Sequence, residues 1–499
     1  MTSGRFIMNY LGCCFVGLFA VASLFAGELA PLRVSGNKVV AGDKEIRLRG
    51  INWGWWHEKG TRYTEDDMKR QAEWGANVVR LPFSYRDITD EHGNWSEKRV
   101  AAIDEVIRWA EKYGQYVILD MHEVPGGQTP IHYCAEGKNA VWRDPVYQKR
   151  FFILWRRLAE RYRDVPAVAA YELLNEPRTT PAQPQLTADL QRRVIETIRE
   201  VDSDKMIVVT GDEMSNYGVS LLDLVKQDDD NILYTIHFYP GAFTRWMHNT
   251  GERGGVAGNR DWFRFELPVE IPDQPGIELS VMLRSTNNSG KAWFDDITFI
   301  DDKGVVLRSF GFDCNQVPFA VERYPFGTLR HDSETGHNQP GSLKIEGTDS
   351  YNSWIGPRWK VSPGGKYTVT GWIKLENATG DTYIGAAFFG PWRPDLPELR
   401  KLLKPADHFS KKYNVPVFVG EFSMIRDSGP EGYQATAIAD RIRAMEEIGF
   451  HWTYWNFHET TGPGTMALQA QKQDGSGDYP INEGLLEVLK KGWAGSLAQ

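Results

Sequence analysis

Residues 167–178 read AVAAYELLNEPR and residues 415–423 read VPVFVGEFS. Each is a short apolar run without polar alternation that ends at a carboxylate, Glu176 in the first and Glu421 in the second. A strand apolar on both faces belongs inside a parallel sheet covered by helices, whereas a half-exposed strand alternates. Six further runs share this character, at 49–53, 77–81, 116–121, 206–210, 232–237 and 452–456. Amphipathic segments lie between them, at 97–113 (apolar at Val100, Ile103, Val106, Ile107 and Ala110), 146–162, 186–199, 396–413 and 433–448. Eight strand-helix units predict a closed (β/α)8 barrel, an α/β fold. A doubly wound open sheet is the alternative, but no Gly-rich GxGxxG turn follows the first strand.

One stretch breaks the pattern. From 251 to 389 the helical spacing vanishes and alternating strands take over, at 262–267, 277–283, 291–299, 342–345, 366–373 and 382–389. Short strands separated by Gly, Pro, Asn and Asp predict a β-sandwich, inserted between the sixth strand and its helix. The barrel is expected over 31–250 and 390–499, and a small hairpin at 32–48 precedes it.

Composition narrows the function. The chain has 499 residues, 57 Lys+Arg against 66 Asp+Glu, a net charge of −9 and no basic run. Nucleic acid is therefore not the expected partner, since phosphate binding needs clustered cations. Aromatic residues make up 12% of the chain, with 18 Trp, a supply that suits core packing and also ring-shaped ligands such as sugars. The uncharged run 11–26, LGCCFVGLFAVASLFA, follows a single basic residue, Arg5. Its length fits a signal peptide over 1–26 that directs the protein to the periplasm or outside the cell, leaving it free of the membrane after cleavage. An uncleaved anchor is the competing reading, and a lipid-modified Cys13 or Cys14 is disfavoured because too few apolar residues precede them. Cys134 and Cys314 are too distant in sequence to make a disulfide framework, and their spacing matches no zinc site.

Chemistry on a barrel gathers at the C-terminal ends of the strands. The polar residues there are Arg80, His122, Asn175, Glu176, His237, Tyr239, Glu421 and, with Trp455, Asn456. Two carboxylates on strands four and seven face one another across the ring. Cleavage of a glycosidic bond needs such a pair, one carrying the proton for the leaving oxygen and one ionised. A divalent metal site needs further hard ligands that are not evident, and neither a Gly-x-Ser-x-Gly elbow nor a phosphate loop is present. No metal or cofactor is expected.

The segments LRGINWGWW, GANVVRLPF, VILDMHEVPGG, AYELLNEPR, YTIHFYPGAFT, VFVGEFS and WTYWNF resemble, in order, the strand motifs of glycoside hydrolase family 5, the cellulase-type retaining glycosidases. The resemblance implies that Glu176 is the general acid/base and Glu421 the nucleophile. It implies that Asn175 bonds the sugar 2-hydroxyl, that Arg80 orients Glu421 and keeps it ionised, and that Tyr239 touches Glu421. His122 and His237 would line the subsite and the acid/base, and Trp455 would form the stacking floor. Glu172 and Asp120 are expected as interior partners instead of catalysts. For Trp55, Trp56, Trp142 and Trp246 cleft and core are equally open, while His458, Glu459 and Glu123 stand between cleft and loop. The expected substrate is a β-linked polysaccharide or oligosaccharide, foremost β-1,4-glucan, with mannan and β-1,3-glucan as rivals, acted on by a monomer. A non-catalytic sugar-binding barrel is the second hypothesis.

The insert resembles jelly-roll carbohydrate-binding modules of families 4, 9 and 22, through residues 337–375 and GKAWFDDITF at 290–299. The closing strand precedes the early ones, as in a circular permutation. Trp262, Trp354 and Trp359 are the candidate binding aromatics, against a purely structural wall.

Overall fold

The computed structural model describes residues 29–497 apart from 55–62, 130–138, 180–182, 216–220, 242–248, 251–255, 272, 274, 287, 314–318, 324–327, 348–350, 390–392, 427–430, 460–464 and 471–479. The expected leader and Trp55, Trp56, Trp246, Cys134 and Cys314 lie outside the described residues.

Eight parallel strands close a barrel in chain order: Arg49–Asn52, Val78–Ser84, Tyr116–Glu123, Val168–Glu172, Met206–Thr210, Ile232–His237, Val417–Phe422 and His451–Tyr454, which pairs back onto the first. All eight expected runs are strands. Helices Glu65–Trp74, Glu97–Lys112, Pro145–Tyr162, Pro184–Arg199, Leu396–Tyr413, Tyr433–Glu447 and Glu483–Trp493 follow strands one to four and six to eight. The fifth crossover departs from the eight-unit expectation. Among the described residues it holds the short helix Asp212–Ser215 and the 3-10 turn Leu221–Val225, each too short to give the long apolar stripe of a barrel helix.

Local chemistry sets the helix starts. Asp144 accepts from the Val146 amide at 2.8 Å and Asp395 from the Glu398 amide at 2.9 Å, each ahead of a proline in the first turn, which satisfies donors that the helix itself leaves open. Two helices escaped sequence reading, Glu65–Trp74 and Glu483–Trp493. The first carries three acidic residues in its first turn and few apolar ones, burying only Asp67, Met68 and Gln71. It docks by a specific bond instead, from Trp53 Nε1 to Gln71 Oε1 at 2.8 Å.

Below the barrel, the hairpin of Leu32–Ser35 and Lys38–Ala41 plugs the open end. Leu32 and Val39 pack with Val78, Ile118, Ala170, Met206, Leu233 and Phe418, so apolar side chains fill the barrel interior at its N-terminal end.

Between the sixth strand and its helix, strands from Asn249 to Phe389 form an antiparallel eleven-stranded sheet with its own apolar core. The two strands expected at 366–373 and 382–389 are one, Lys366–Phe389. Its first part pairs with Val256–Glu270 and Lys291–Asp301, its second with Glu278–Thr286. Asn377 at φ +51° stands where the ladder with Val256–Glu270 is irregular, between the partners Ala378 and Leu375 of Gly258 and Arg260, a conformation asparagine tolerates better than most residues.

His451 begins the eighth strand and is fully enclosed. The Leu48 amide donates to its Nδ1 at 3.0 Å, and burial, with Arg47 and Arg49 nearby, pushes the imidazole down to about 3. The unfolded chain therefore takes up this proton more readily than the folded one, so the contribution is complete above the ordinary histidine range and is lost as pH falls toward 3. In His451→Gln, where an amide oxygen can still accept from Leu48, thermal unfolding followed between pH 7 and 4 should show a shallower loss of stability than the parent chain.

Candidate active site

Strand register gathers the polar residues. Asn52 lies opposite Arg80, Asp120 opposite Glu172 and His237 opposite Glu421 on adjacent strands. Their side chains meet at the C-terminal mouth of the barrel.

Arg80 is fully buried and spends every donor. Nε and Nη2 bind the two oxygens of Glu172 at 2.7 and 2.9 Å. Nη1 reaches Asn52 Oδ1 at 3.0 Å and Glu421 Oε1 at 2.7 Å. Nη2 also meets Asn175 Oδ1 and Asp120 Oδ2, both at 2.9 Å. Burial opposes its charge, but Asp120, Glu172 and Glu421 outweigh that and hold the guanidinium well above its ordinary value. Glu172, expected as an interior partner, is that: both oxygens are taken by Arg80. Burial raises Glu172 against the pull of Arg80, and pushes Asp120 up to about 7.

Glu421 has a second tether. Tyr239 donates its hydroxyl to Oε2 at 2.8 Å, and burial, reinforced by Glu421 and Glu176, keeps the phenol protonated far above its usual value. With Arg80 on one oxygen and Tyr239 on the other, the carboxylate plane cannot rotate.

Glu176 faces it. His237 Nδ1 lies 2.8 Å from Glu176 Oε1 and 3.5 Å from Glu421 Oε2, and one nitrogen or oxygen from each of the three residues lies within 4.8 Å of the other two. Burial pushes His237 down to about 4 although Glu421 pulls the other way, so the ring brings a hydrogen bond to the carboxylates without a full charge. Gly420 makes room for this: a Cβ there would stand 2.8 Å from Thr235 Oγ1 and 3.3 Å from His237 Nε2.

Behind the acidic pair, Asp120 Oδ2 contacts His122 Nδ1 at 2.7 Å and His122 Nε2 lies 3.2 Å from Asn175 Nδ2. Since Arg80 occupies Asn175 Oδ1, the amide nitrogen must point the other way. That makes Asn175 a donor toward the mouth, and His122 the Nδ1–H tautomer. The Trp455 ring is 93% buried and lies parallel to His122, centroids 5.7 Å apart, beside Met466, Tyr239 and Ile425.

Three open residues have partners within the protein. Trp142 is buried and donates to Gln128 O and Asn139 Oδ1, His458 lies against Asp67 and Tyr63, and Glu459 takes the Met466 amide. Glu123, half-buried, accepts from Ser84 Oγ at 2.6 Å. Sequence reading passed over Asn52 and Gln128, which carry no charge and sit beside more conspicuous neighbours.

Glu176, His237 and Glu421 have the composition of a metal triad. Both Glu421 oxygens are already taken by Arg80 and Tyr239, however, and an added cation would face the guanidinium, so the set does not fit a divalent ion. The nearest oxygens of Glu176 and Glu421 stand no more than 4.8 Å apart, a close approach for two carboxylates.

Over residues 39–307 the chain matches the family described as Cellulase (glycosyl hydrolase family 5). Endoglucanase C of Acetivibrio thermocellus is 35% identical over 225 residues, which is 42% of this chain and 63% of that protein. Cellodextrinase A of Ruminococcus flavefaciens is 30% identical over 206 residues, 40% of this chain and 60% of that one. The chain thus spans less than two thirds of the length of either relative. Among solved structures, Thermotoga maritima Cel5A in complex with cellobiose aligns over 89% of this chain and 97% of its own, at 19% identity and a TM-score of 0.49.

Arg80→Met would leave three buried carboxylates without their counter-charge. Removing one partner of a buried ion pair costs about 3–5 kcal/mol, so urea unfolding should show a loss of at least that size, largest at neutral pH and smaller where Glu172 and Asp120 protonate.

Proposed function

The chain belongs to the cellulase family, glycosyl hydrolase family 5, and from that we propose that it is a retaining β-glycosidase that hydrolyses β-linked glucan, foremost β-1,4-glucan, with Glu176 as acid/base and Glu421 as nucleophile. The observation that carries the reading is the pair itself: two carboxylates within 4.8 Å, one pinned by Arg80 and Tyr239 and the other partnered by neutral His237.

In the first step Glu421 Oε2 or Oε1 attacks the anomeric carbon, the glycosidic bond breaks, and Glu176 passes its proton to the departing sugar oxygen. The product is an ester between Glu421 and the sugar. In the second step Glu176, now a carboxylate, takes a proton from water as the water oxygen displaces Glu421. Arg80 and Tyr239 hold the nucleophile's orientation and spread its charge as it leaves. Asn175, aimed as a donor by Arg80, suits the sugar 2-hydroxyl, and Trp455 suits the face of the ring at the cleavage point. The relatives called endoglucanase and cellodextrinase support glucan over mannan. The apolar run 11–26 supports export, so that the enzyme would meet polymer outside the cytoplasm.

Glu421→Gln should lower turnover on β-glucan by about four orders of magnitude while cello-oligosaccharide binding, read by calorimetry, persists. A non-catalytic sugar-binding barrel would instead change little. Azide added to Glu176→Ala should give a β-glycosyl azide, and an α-product there would exclude double displacement.

For the insert we propose carbohydrate binding on one face of the sheet. Trp354 is 93% buried in the core and Trp359 packs on Phe299 and Phe310, which leaves Trp262 of the three candidates. It sits half-buried beside His337, whose ring stacks on Trp372 at 3.7 Å. Trp372 alternates with the core residues Ile373 and Leu375 on its strand, so it faces outward. Trp262→Ala should lose retardation in a β-glucan affinity gel while hydrolysis of soluble oligosaccharides stays at the parent rate; an unchanged mobility leaves the insert a structural wall.

A further inference from the structure

Glu176 occupies a left-handed backbone conformation, φ +40°, which a non-glycine residue holds only when its surroundings enforce it. The enforcement comes from hydrogen bonds to the backbone groups flanking it. The carbonyl of Asn175, immediately before it, accepts from Gln128 Nε2 at 2.8 Å. After it, the Pro177 carbonyl accepts from the Met214 amide at 2.9 Å, and the Arg178 amide donates to the Gln128 carbonyl, also at 2.9 Å. The Arg178 carbonyl accepts from Asn139 Nδ2 at 2.9 Å.

Gln128 thus grips the segment on both sides of Glu176, by its side chain and by its own backbone. The same amide nitrogen donates to the His122 carbonyl at 2.7 Å, while Oε1 accepts from the Val124 amide at 3.3 Å. Two carbonyls on one side and an N–H on the other leave the amide a single orientation. The residue is completely enclosed and has no exposed surface through which to touch substrate.

Resting on the reading of Glu176 as acid/base, we propose that Gln128 is a positioning residue that fixes the strained Glu176 backbone, and so the aim of its carboxyl toward the leaving oxygen, by tying it to the His122 segment. It does not act on Glu421, whose tethers are Arg80 and Tyr239 on other elements. Loss of Gln128 should therefore damage proton delivery while sparing nucleophilic attack.

Two substrates separate these steps. A cello-oligosaccharide has a poor leaving group that needs the acid, whereas 2,4-dinitrophenyl β-cellobioside needs none, and azide in the assay removes dependence on the base in the second step. Gln128→Met keeps the side-chain volume and deletes both donors. It is expected to lose roughly a hundredfold in kcat on the oligosaccharide, the scale of an ångström-sized misplacement, with KM little changed and the dinitrophenyl rate with azide near that of the parent. Gln128→Asn, one methylene shorter and still polar, should show the same split to a smaller degree and decides the matter if the Met variant does not fold. A folded variant with the parent's ratio of the two rates, or with equal losses on both substrates, overturns the proposal. Glu176→Ala runs alongside: if it fails to change the ratio, the acid/base assignment itself is wrong, whereas a split in Glu176→Ala without one in the Gln128 variants rejects only the positioning role.

Discussion

One guanidinium organises the mouth of the barrel. Arg80 reaches Asn52 on the first strand, Asp120 on the third, Glu172 and Asn175 on and after the fourth, and Glu421 on the seventh. A single cation with five fixed donors and no exposed surface of its own meets three carboxylates, and the planar fork is what allows it; an ammonium has neither the reach nor the geometry. The interaction fixes the carboxylate of Glu421, orients the amide of Asn175 and, through that amide, sets the tautomer of His122. Chemistry at the mouth is thereby arranged from beneath.

Against that rigid side stands a strained one. Glu421 sits on a strand among ladder hydrogen bonds, while Glu176 sits just past a strand end in a conformation that costs of order 1–3 kcal/mol. On the proposed assignment of Glu421 as nucleophile and Glu176 as acid/base, the division has a chemical sense. A nucleophile must approach one carbon along one line, so it gains from being locked. An acid/base has to serve a sugar oxygen and then a water from the same position, and it gains from a backbone that lifts it out of the strand toward the cleft. His237 lies between the two, neutral because it is buried, and couples them without adding a charge that would favour one protonation state of Glu176 over the other.

The inserted sheet has a separate apolar core and hydrogen-bond ladder. It interrupts the barrel between a strand and its helix, at a loop where close chain ends make insertion inexpensive. Its outer aromatic cluster of Trp262, His337 and Trp372 is distinct in kind from the barrel site.

The order of apolar runs, and the residue ending each, determined the eight strands and nearly all of the mouth: a strand buried on both faces has to be apolar, so its terminal Arg, His, Asn or Glu stands out. Helices with little apolar surface, such as Glu65–Trp74, left no such mark, because polar contacts such as those of Gln71 with Trp53 and Gln115 do much of the work of holding them. The fifth crossover and the continuous strand Lys366–Phe389 were equally hidden, since both depend on how the chain bends and not on its pattern. Only closure of the ring decided distances. It brought Arg80 to Glu421 across 341 positions, set the carboxylate gap, and put a buried, uncharged Gln128 behind Glu176, where its side chain meets the carbonyls of His122 and Asn175. Hydrophobic spacing encodes which residues point inward; which inward atoms touch is settled by three-dimensional register.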